Sequence, residues 1–308
     1  MKTDLVTGVT GFTGSHLARY LKSRGRRVRG LALPGLGTSD LEKEGIEVVA
    51  GDLTKPETLQ PAVKDVDRIY HIAAVYREQD IPRKRFFDVN AEGSRNLLEA
   101  AKSQGVGRFI HCSTVGVQGE IAEPPATEEA PYRPGDYYQE SKLQGEKIAL
   151  EYARKGMPLV VFRPVGIYGP GDDRFLKLFR YIQQRTFRMF GSGKVLYHLT
   201  YIDDLVEGIY LAGSKPGIEG EIFTLAGGTY TTLNELVALI AEVLGVEVSR
   251  RHYPVWPLWT AGAVCELICA PFRINPRCIA AVWTFSSRTE PLILPRPEPV
   301  WDMILMWI

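Results

Sequence analysis

Tyr138 and Lys142 have the side chains and the spacing that proton transfer near neutral pH would use. A separation of four residues places the phenol and the ammonium on one face of a helix. The usual tyrosine pKa of about 10 must fall before the group is a useful base, and a neighbouring cation lowers it. We therefore predict that Tyr138 is the acid and base and that Lys142 supports it. A solvated pair on a helix surface is the alternative, because this spacing often occurs by chance.

Two hydroxyl side chains strengthen the catalytic interpretation. Ser113 and Thr114 come directly after the apolar run 108–112. In a doubly wound sheet, the end of such a strand lies at the carboxyl edge, where ligands bind. Either hydroxyl could polarise a reacting oxygen atom. The alternative is local capping of backbone groups, which is common for serine and threonine.

A glycine-rich turn near the N-terminus predicts a binding site for a dinucleotide. Residues 7–14 read Thr-Gly-Val-Thr-Gly-Phe-Thr-Gly and lie between the first predicted strand and the first predicted helix. Gly8 permits a tight turn, Gly11 lets the backbone approach a pyrophosphate, and Gly14 lets the helix pack closely on the strand. The backbone amides and the helix dipole favour the phosphate charge. An ordinary glycine-rich loop is the alternative, and the position after an apolar strand disfavours it.

Residues beyond this turn bear on the adenosine half of such a cofactor. Asp52 closes the third apolar run, where it suits a hydrogen bond to the adenine amino group. It also suits a helix N-cap, and the two roles are compatible. The end of the second strand, residues 32–34, reads Ala-Leu-Pro and supplies neither an acid for a ribose hydroxyl nor an arginine for a 2′-phosphate. Both NAD and NADP remain candidate cofactors, because Arg29 or a loop residue could still reach a 2′-phosphate. NAD is slightly favoured.

These residues need a scaffold that brings distant parts of the chain together, and the sequence predicts one. Apolar runs alternate with helical periods in the first half, which indicates an α/β fold with a doubly wound parallel sheet (Rossmann). The predicted strands are 5–7, 28–33, 47–49, 69–72, 108–112 and 159–162, and the predicted helices are 14–24, 91–103 and 138–154. After residue 163 the pattern becomes irregular, with predicted helices at 175–185 and 233–244. We predict a smaller C-terminal substrate-binding region there.

The composition excludes several classes of function. A chain of 308 residues with 45% hydrophobic content can bury a large core. Its 37 lysines and arginines nearly balance its 36 aspartates and glutamates, so no long-range positive field would recruit nucleic acid. We therefore expect a small-molecule substrate and no nucleic-acid partner. The four cysteines form no CxxC pair, and the apolar run that begins at Leu5 ends at Gly8, so we expect reduced thiols, no signal peptide and a cytoplasmic location.

The histidine positions and the apolar stretches argue against a metal site and a transmembrane segment. His71, His111 and His198 have no metal-ligand spacing, so we predict no metal and expect buried, hydrogen-bonded histidines. The apolar stretch 255–269 is interrupted by a glutamate and falls short of the roughly 18 residues of a membrane span, so we predict no transmembrane segment. The aromatic residues of 253–259 would suit an apolar substrate or a membrane surface, but a buried core is the commoner explanation, and we expect it here.

Together these motifs resemble the extended short-chain dehydrogenase/reductase family, in its NAD-dependent epimerase/dehydratase branch. The resemblance extends over about residues 4–276, and its motifs follow one another in order along the chain. They are residues 7–14, 51–53, 71–74, 90–96, 113–114, 138–142, 163–164, 168–171 and 201–205.

The resemblance implies a role for each motif. Tyr138 becomes the acid and base, Lys142 holds the nicotinamide ribose while lowering the tyrosine pKa, and Thr114 supplies the hydroxyl, with Ser113 as second candidate. Asn90 helps to order the central strands, and the helices around it and Tyr138 pair in a homodimer. The residues expected to bind the cofactor are Gly8, Thr10, Gly11, Phe12, Thr13, Gly14, Asp52, Leu53, Ala73, Ala74, Asn90, Tyr138, Lys142 and Pro164.

The resemblance also implies a reaction, namely NAD(P)-dependent hydride transfer at a hydroxyl-bearing carbon. We predict an epimerase/dehydratase or dehydrogenase that acts on a sugar or sugar nucleotide. Sugar-nucleotide members usually carry an asparagine before the turn 168–171, whereas this chain reads Arg-Pro-Val-Gly-Ile over 163–167. That departure resembles the branch of hopanoid-associated sugar epimerases, dihydroflavonol reductases and 3β-hydroxysteroid dehydrogenases, so an oxidoreductase of that kind is the alternative. A non-catalytic dinucleotide-sensing scaffold is a third possibility, which an intact Thr114, Tyr138 and Lys142 disfavour.

The chain divides into three predicted parts. Residues 1–165 form the NAD(P)-binding Rossmann domain, and residues 166–276 form the substrate-binding region, some segments of which return to that domain. Residues 277–308 are rich in Trp, Pro and Ile and do not resemble the family. Because a one-base shift of the reading frame permits a family-like sequence there, we expect the tail to be a frameshift product that packs poorly and exposes apolar surface.

Overall fold

The fold is an α/β architecture built on a parallel sheet. The computed structural model describes residues 2–76, 81–122, 124–249, 251–257 and 260, so the predicted tail 277–308 lies outside the described residues. The strands are β1 (Thr3–Thr7), β2 (Arg27–Ala32), β3 (Glu47–Ala50), β4 (Arg68–His71), β5 (Arg108–Cys112), β6 (Leu159–Pro164), β7 (Gly166–Tyr168), β8 (Met189–Phe190), β9 (Leu196–Tyr201), β10 (Ile222–Leu225), β11 (Tyr230–Thr232) and β12 (His252–Tyr253). The α-helices are α1 (Phe12–Ser23), α2 (Ser39–Lys43), α3 (Gln60–Val63), α4 (Arg83–Phe87), α5 (Gly93–Ser103), α6 (Tyr137–Arg154), α7 (Leu176–Gln183), α8 (Ile202–Ser214) and α9 (Leu233–Val243).

The main sheet confirms the predicted doubly wound fold. Its strand order is β10-β6-β5-β4-β1-β2-β3, and every neighbouring pair is parallel. The chain leaves β1 toward β2 on one side and returns to β4 on the other. The order of strands therefore reverses between β1 and β4, which is where an open α/β sheet binds its ligand.

Two apolar layers hold helices against the two faces of this sheet. Successive side chains of a strand point to opposite faces, so Leu5 and Val6 enter different layers. The layer around Val6 is covered by α1 and α8, and the layer around Leu5 by α3, α5 and α6. Strands buried on both faces read as continuous apolar runs, which is why β5 and β6 were predictable from the sequence.

A smaller group of elements follows β6. Strands β11, β9 and β7 form a three-stranded sheet, and β8 pairs with β12. Helices α7 and α9 share a separate apolar cluster that includes Ile182 and Leu236. The chain also returns to the main sheet, because β10 pairs with β6 and α8 packs on the layer around Val6. The division at residues 165 and 276 stays a prediction.

Observed and predicted elements differ in detail. The helix predicted over 91–103 is preceded by α4 and by a π-helical turn, Asp88–Glu92, that continues directly into α5. Helix α9, predicted over 233–244, begins at a capping box, in which Thr232 and Glu235 satisfy each other's backbone amides. Within the described residues no helix is both long and apolar enough to cross a membrane.

A buried ion pair fixes α6 against the sheet. The Arg163 guanidinium on β6 donates two hydrogen bonds to the Glu146 carboxylate on α6, at 2.6 and 3.0 Å, and both side chains are fully buried. Arg163 also donates to the Glu128 carbonyl at 2.9 Å, and Tyr132 donates its phenol to Glu146 at 2.9 Å. Burial alone would lower the pKa of Arg163, but Glu146 offsets this effect and the net direction is upward. The pair therefore keeps both charges inside the core.

We expect Glu146→Gln to lower the free energy of unfolding by about 3 kcal/mol or more, because it leaves the buried Arg163 charge without its counter-ion. Urea unfolding measures the change. The control is Glu151→Gln on the same helix, where the ion pair with Lys155 is exposed to solvent and contributes little to stability. Equal effects of the two substitutions would show that the buried pair does not anchor α6.

Candidate active site

A cleft of about 1250 Å³ opens at the carboxyl ends of the central strands. It brings together nearly all the residues that the sequence predicted, from segments that are far apart in the chain. The predicted residues in its lining are Gly8, Thr10, Gly11, Phe12, Thr13, Gly14, Asp52, Leu53, Ala73, Ala74, Thr114, Tyr138, Lys142 and Pro164, together with Ser113. Asn90 is the predicted site residue that does not belong to this lining.

The glycine turn leaves no room for side chains. Gly8 has a φ of 68°, and a Cβ there would lie 2.8 Å from the Ala73 Cα atom. A Cβ on Gly14 would lie 2.1 Å from the Gly8 carbonyl oxygen, so the first turn of α1 packs directly on the end of β1. The turn thus places bare backbone and the N-terminus of α1 at the cleft. These features fit the pyrophosphate of a dinucleotide.

Asp52 forms a local turn with Thr54 and is not the helix N-cap that the sequence also allowed, because the next helical turn begins at Pro56 and its N-cap is Lys55. Its Oδ1 atom accepts hydrogen bonds from the Thr54 amide at 2.9 Å and the Thr54 hydroxyl at 2.8 Å. Burial would raise the pKa of Asp52, but these bonds and the nearby charge of Arg85 give a net lowering. Arg85 also lines the cleft and was missed in the sequence, where it stands within an unremarkable basic run, Arg-Lys-Arg, at residues 83–85.

The end of β2 presents an apolar surface to the cleft. Leu33 and Leu36 line it and are 44% and 48% exposed. Arg29 does not reach this end, because its guanidinium binds Glu47 at 2.9 Å and the carbonyls of Ala62 and Lys64 at 3.0 and 2.7 Å. A 2′-phosphate placed beside Leu33 would lose water without gaining a charged partner there, which favours NAD.

Lys142 and Tyr138 are positioned by α6. The helix begins with Asp136 as its N-cap, whose carboxylate accepts from the Gln139 amide at 2.8 Å. The Lys142 ammonium is buried and donates to the Cys112 carbonyl of β5 at 2.5 Å. Burial lowers the pKa of Lys142. The Tyr138 ring lies edge-on to Tyr76, with 4.9 Å between centroids.

The two candidate hydroxyl groups have different surroundings. The Thr114 Oγ1 atom accepts from the Gly116 amide at 3.2 Å, which leaves its hydroxyl proton available to donate. Thr114 therefore caps a turn and can also face a ligand. Ser113 is 1% exposed, and its hydroxyl has no hydrogen-bond partner within the described parts of the chain.

Asn90 acts behind the cleft wall. Its side-chain amide exchanges two hydrogen bonds with the Val75 backbone, at 2.8 and 3.0 Å, and donates to the Ser141 hydroxyl at 2.9 Å. Ser141 in turn donates to the Tyr138 carbonyl at 2.7 Å. Asn90 thus ties the segment after β4 to the start of α6. The role in ordering the central strands that the family resemblance implies stays a prediction.

A second chain of hydrogen bonds reaches Asn90 from β1. Thr7 Oγ1 contacts His71 Nδ1, and His71 Nε2 contacts Ser94 Oγ, both at 2.9 Å. Because Ser94 donates to the Asn90 carbonyl at 2.7 Å, it must accept from His71, so the His71 proton lies on Nε2. Thr7 then donates to Nδ1 and accepts from the amides of Ile72 and Ala73, each at 3.1 Å. The sequence signal for this chain was the histidine of the 71–74 motif.

The buried histidines carry no charge near neutral pH. Burial lowers the pKa of His71 to about 3, with a smaller effect from the Lys142 charge. The same causes lower the pKa of His111 well below its ordinary value. The expectation of a hydrogen-bonded histidine is correct for His71 but wrong for His111, since neither ring nitrogen has a partner in the described part of the molecule. Among the residues that the model describes, no histidine, cysteine or acidic cluster could hold a metal ion.

The sheet, the glycine turn and the Tyr138 and Lys142 pair define a nicotinamide-dependent oxidoreductase with a Rossmann fold. Comparisons with known proteins agree. The model of the NAD dependent epimerase/dehydratase family matches residues 5–226. Sterol demethylase protein B of Methylococcus capsulatus is 30% identical over 260 residues, which are 82% of this chain and 77% of that protein.

Two further similar proteins are a sterol dehydrogenase and a sugar-nucleotide epimerase. The human sterol-4-alpha-carboxylate 3-dehydrogenase, decarboxylating, is 28% identical over 269 residues, which are 83% of this chain and 70% of that protein. The crystal structure of UDP-glucuronic acid 4-epimerase from Bacillus cereus in complex with NAD aligns with a TM-score of 0.73 at 26% identity, covering 82% of this chain and 86% of that one. The chain belongs to the NAD-dependent epimerase/dehydratase family, within the extended short-chain dehydrogenase/reductases. The predictions of family, fold, enzymatic class and nicotinamide cofactor are confirmed.

We expect the protein to bind NAD more tightly than NADP, and Leu33→Arg to tighten NADP binding by about tenfold through a charge-assisted hydrogen bond to the 2′-phosphate. Titration of each dinucleotide, followed by fluorescence, measures both affinities. Leu239→Arg is the matched control, because Leu239 is 58% exposed on α9 and does not line the cleft. Tighter binding of NADP than of NAD by the unaltered protein would contradict the interpretation.

Proposed function

We propose that this enzyme oxidises a hydroxyl-bearing carbon of a sugar or sugar nucleotide as its first step, with Tyr138, Lys142 and Thr114 as the catalytic residues. The observation that carries the substrate class is the polar part of the cleft. Beyond the predicted cofactor residues, the lining includes the polar residues Glu120, Arg133, Gln139, Asp173 and Arg174. Several donors and acceptors around one cleft suit a polyhydroxylated molecule better than a hydrocarbon.

In this proposal Tyr138 takes the hydroxyl proton of the substrate. Thr114 donates a hydrogen bond to the same oxygen and so fixes it beside the phenol. Lys142, held by the Cys112 carbonyl, supplies the positive charge that favours the phenolate and donates to the nicotinamide ribose. When bound, the dinucleotide supplies a ring that accepts hydride. Oxidation then leaves a carbonyl group, and Tyr138 can return its proton when that carbonyl is reduced.

The proposed cofactor contacts follow the cleft. The glycine turn receives the pyrophosphate, Asp52 and Leu53 lie at the adenine, and Ala73 and Ala74 lie along the dinucleotide. The remaining proposed contacts are those of Thr10, Phe12, Thr13, Tyr138, Lys142 and Pro164. Asn90 supports this wall from behind through the Val75 backbone.

A sterol-type alcohol is the second candidate substrate. It is favoured by the names of two relatives, a sterol demethylase protein and a sterol dehydrogenase. Residues with apolar or aromatic side chains, such as Val165, Ile167 and Tyr197, also line the cleft. An enzyme of this kind would release the ketone instead of reducing it again.

We also propose a homodimer in the cytoplasm. Helices α5 and α6 pack side by side on one face of the main sheet, so a second copy could place its own pair against them as a four-helix interface. The free thiol of Cys112 is consistent with a reducing compartment. A monomeric mass in sedimentation velocity would contradict the dimer.

We expect Tyr138→Phe to lower kcat by about a hundredfold or more, because it removes the group that takes the hydroxyl proton. Chromatography of the products formed in the presence of NAD, with sugar nucleotides and with hydroxysteroids as substrates, measures activity and separates the two substrate classes, because an epimerase or dehydratase regenerates NAD and shows no net reduction. The affinity for NAD should stay unchanged. Tyr137→Phe is the control, since Tyr137 is 52% exposed and does not line the cleft. Full activity of Tyr138→Phe would contradict the assignment, and turnover of steroids alone would contradict the sugar substrate.

A further inference from the structure

We propose that the protein docks on an anionic phospholipid membrane through a surface formed by α7 and by residues 184–194 and 251–257. We call this region the basic aromatic surface. It lies in the smaller group of elements and is distinct from the cofactor cleft. Arg174, however, precedes α7 directly and lines the cleft, so the two are neighbours.

The charge of this surface is unlike that of the whole chain. Residues 174–202 contain six of the chain's 37 lysines and arginines and none of its 36 aspartates and glutamates, although the chain has a net charge of only +1. Arg174 pairs with Asp172, but the other five are exposed and have no ion pair with a carboxylate in the described ranges. These five are Lys177, Arg180, Arg185, Arg188 and Lys194. Such unpaired cations are attracted to anionic headgroups.

Exposed aromatic rings stand among these cations. Tyr181 is 55% exposed. Trp256 is 68% exposed, so the expectation of a buried stretch at 253–259 is wrong for Trp256, while Trp259 lies outside the described residues. Phe190 and Tyr253 are adjacent in the β8–β12 pair, with ring centroids 5.7 Å apart, and are 37% and 36% exposed. Tyrosine and tryptophan are enriched where a protein meets the headgroup layer, because their rings are apolar and their tips polar.

The backbone makes these groups one continuous surface. The Tyr181 carbonyl accepts from the amides of Thr186 and Phe187, both at 3.0 Å, which folds the segment after α7 back on the helix. The Gly191 amide donates to the Tyr253 carbonyl at 2.9 Å, which joins the end of β8 to β12. Leu178 and Ile182 bury the other side of α7, so the helix cannot turn its exposed side inward.

The combination favours a membrane over other partners. A nucleic acid or an acidic protein would explain the cations, but the large exposed rings beside them match an interfacial helix and its flanking strands. Docking would bring the mouth of the cleft close to the headgroups. A substrate carried by a lipid could then enter the cleft without leaving the bilayer surface, a consequence that rests on the proposed function.

Vesicle sedimentation with the full chain tests the proposal. Phosphatidylcholine vesicles are compared with vesicles that also contain phosphatidylglycerol, at low and at high salt. We expect binding only to the anionic vesicles, and release by high salt because exposed charges are screened. Lys177→Glu combined with Arg180→Glu should lower the vesicle affinity at least tenfold, since each positive charge near the surface contributes about fivefold.

A second pair of substitutions controls for net charge. Lys64→Glu combined with Lys102→Glu makes the same change of charge on exposed residues near α3 and in α5, and should leave vesicle binding unchanged. Trp256→Ser should weaken binding and leave its salt dependence unaltered, because its contribution is apolar. The NAD affinity of every variant should equal that of the unaltered protein, which separates loss of docking from misfolding and from failure of the proposed function.

Three results would overturn the proposal. The first is an absence of binding to anionic vesicles. The second is an equal loss of binding in the two charge-reversal variants. The third is equally tight binding to a soluble polyanion such as heparin with no effect of Trp256→Ser, which would identify a polyanionic partner instead of a membrane.

Discussion

The buried ion pair between Arg163 and Glu146 is the constraint on which the cleft depends. Glu146 lies one helical turn beyond Lys142, and Lys142 lies one turn beyond Tyr138, so all three belong to one stripe of α6. The ion pair anchors one end of the stripe to β6, and the Lys142 bond to the Cys112 carbonyl anchors its middle to β5. The phenol at the other end is thereby held at the edge of two neighbouring strands.

The opposite wall of the cleft is set by neutral hydrogen bonds. The chain from Thr7 through His71 and Ser94 to Asn90 joins the end of β1 to the backbone carbonyl of Tyr138 by way of Ser141. Every donor in it has an acceptor, and no member needs a charge. The positive charge of Lys142 therefore acts on the cleft without a competing ionised histidine beneath it.

Local sequence patterns were sufficient to predict the main sheet, the glycine turn and the helix α6 that carries Tyr138 and Lys142. Each of these depends on spacing within a few residues, such as Gly8 to Gly14 or Tyr138 to Lys142. The Arg163 and Glu146 pair could not be predicted in this way, because its members become neighbours only when α6 packs on β6. The same limit applies to Asn90, whose side-chain amide forms hydrogen bonds with the Val75 backbone.

The single stripe on α6 also determines which changes this stretch of chain can tolerate during evolution. Its outward positions, such as Gln144 and Lys147, are exposed in the single chain and can change as long as the partner helices of the proposed dimer still fit against them. The number of residues between Tyr138 and Glu146 cannot change in the same way. One inserted residue there would rotate the Tyr138 phenol by about 100° around the helix axis relative to Glu146. We infer that related sequences diverge in composition along this helix while keeping its residue count, and that insertions accumulate in the connecting loops instead.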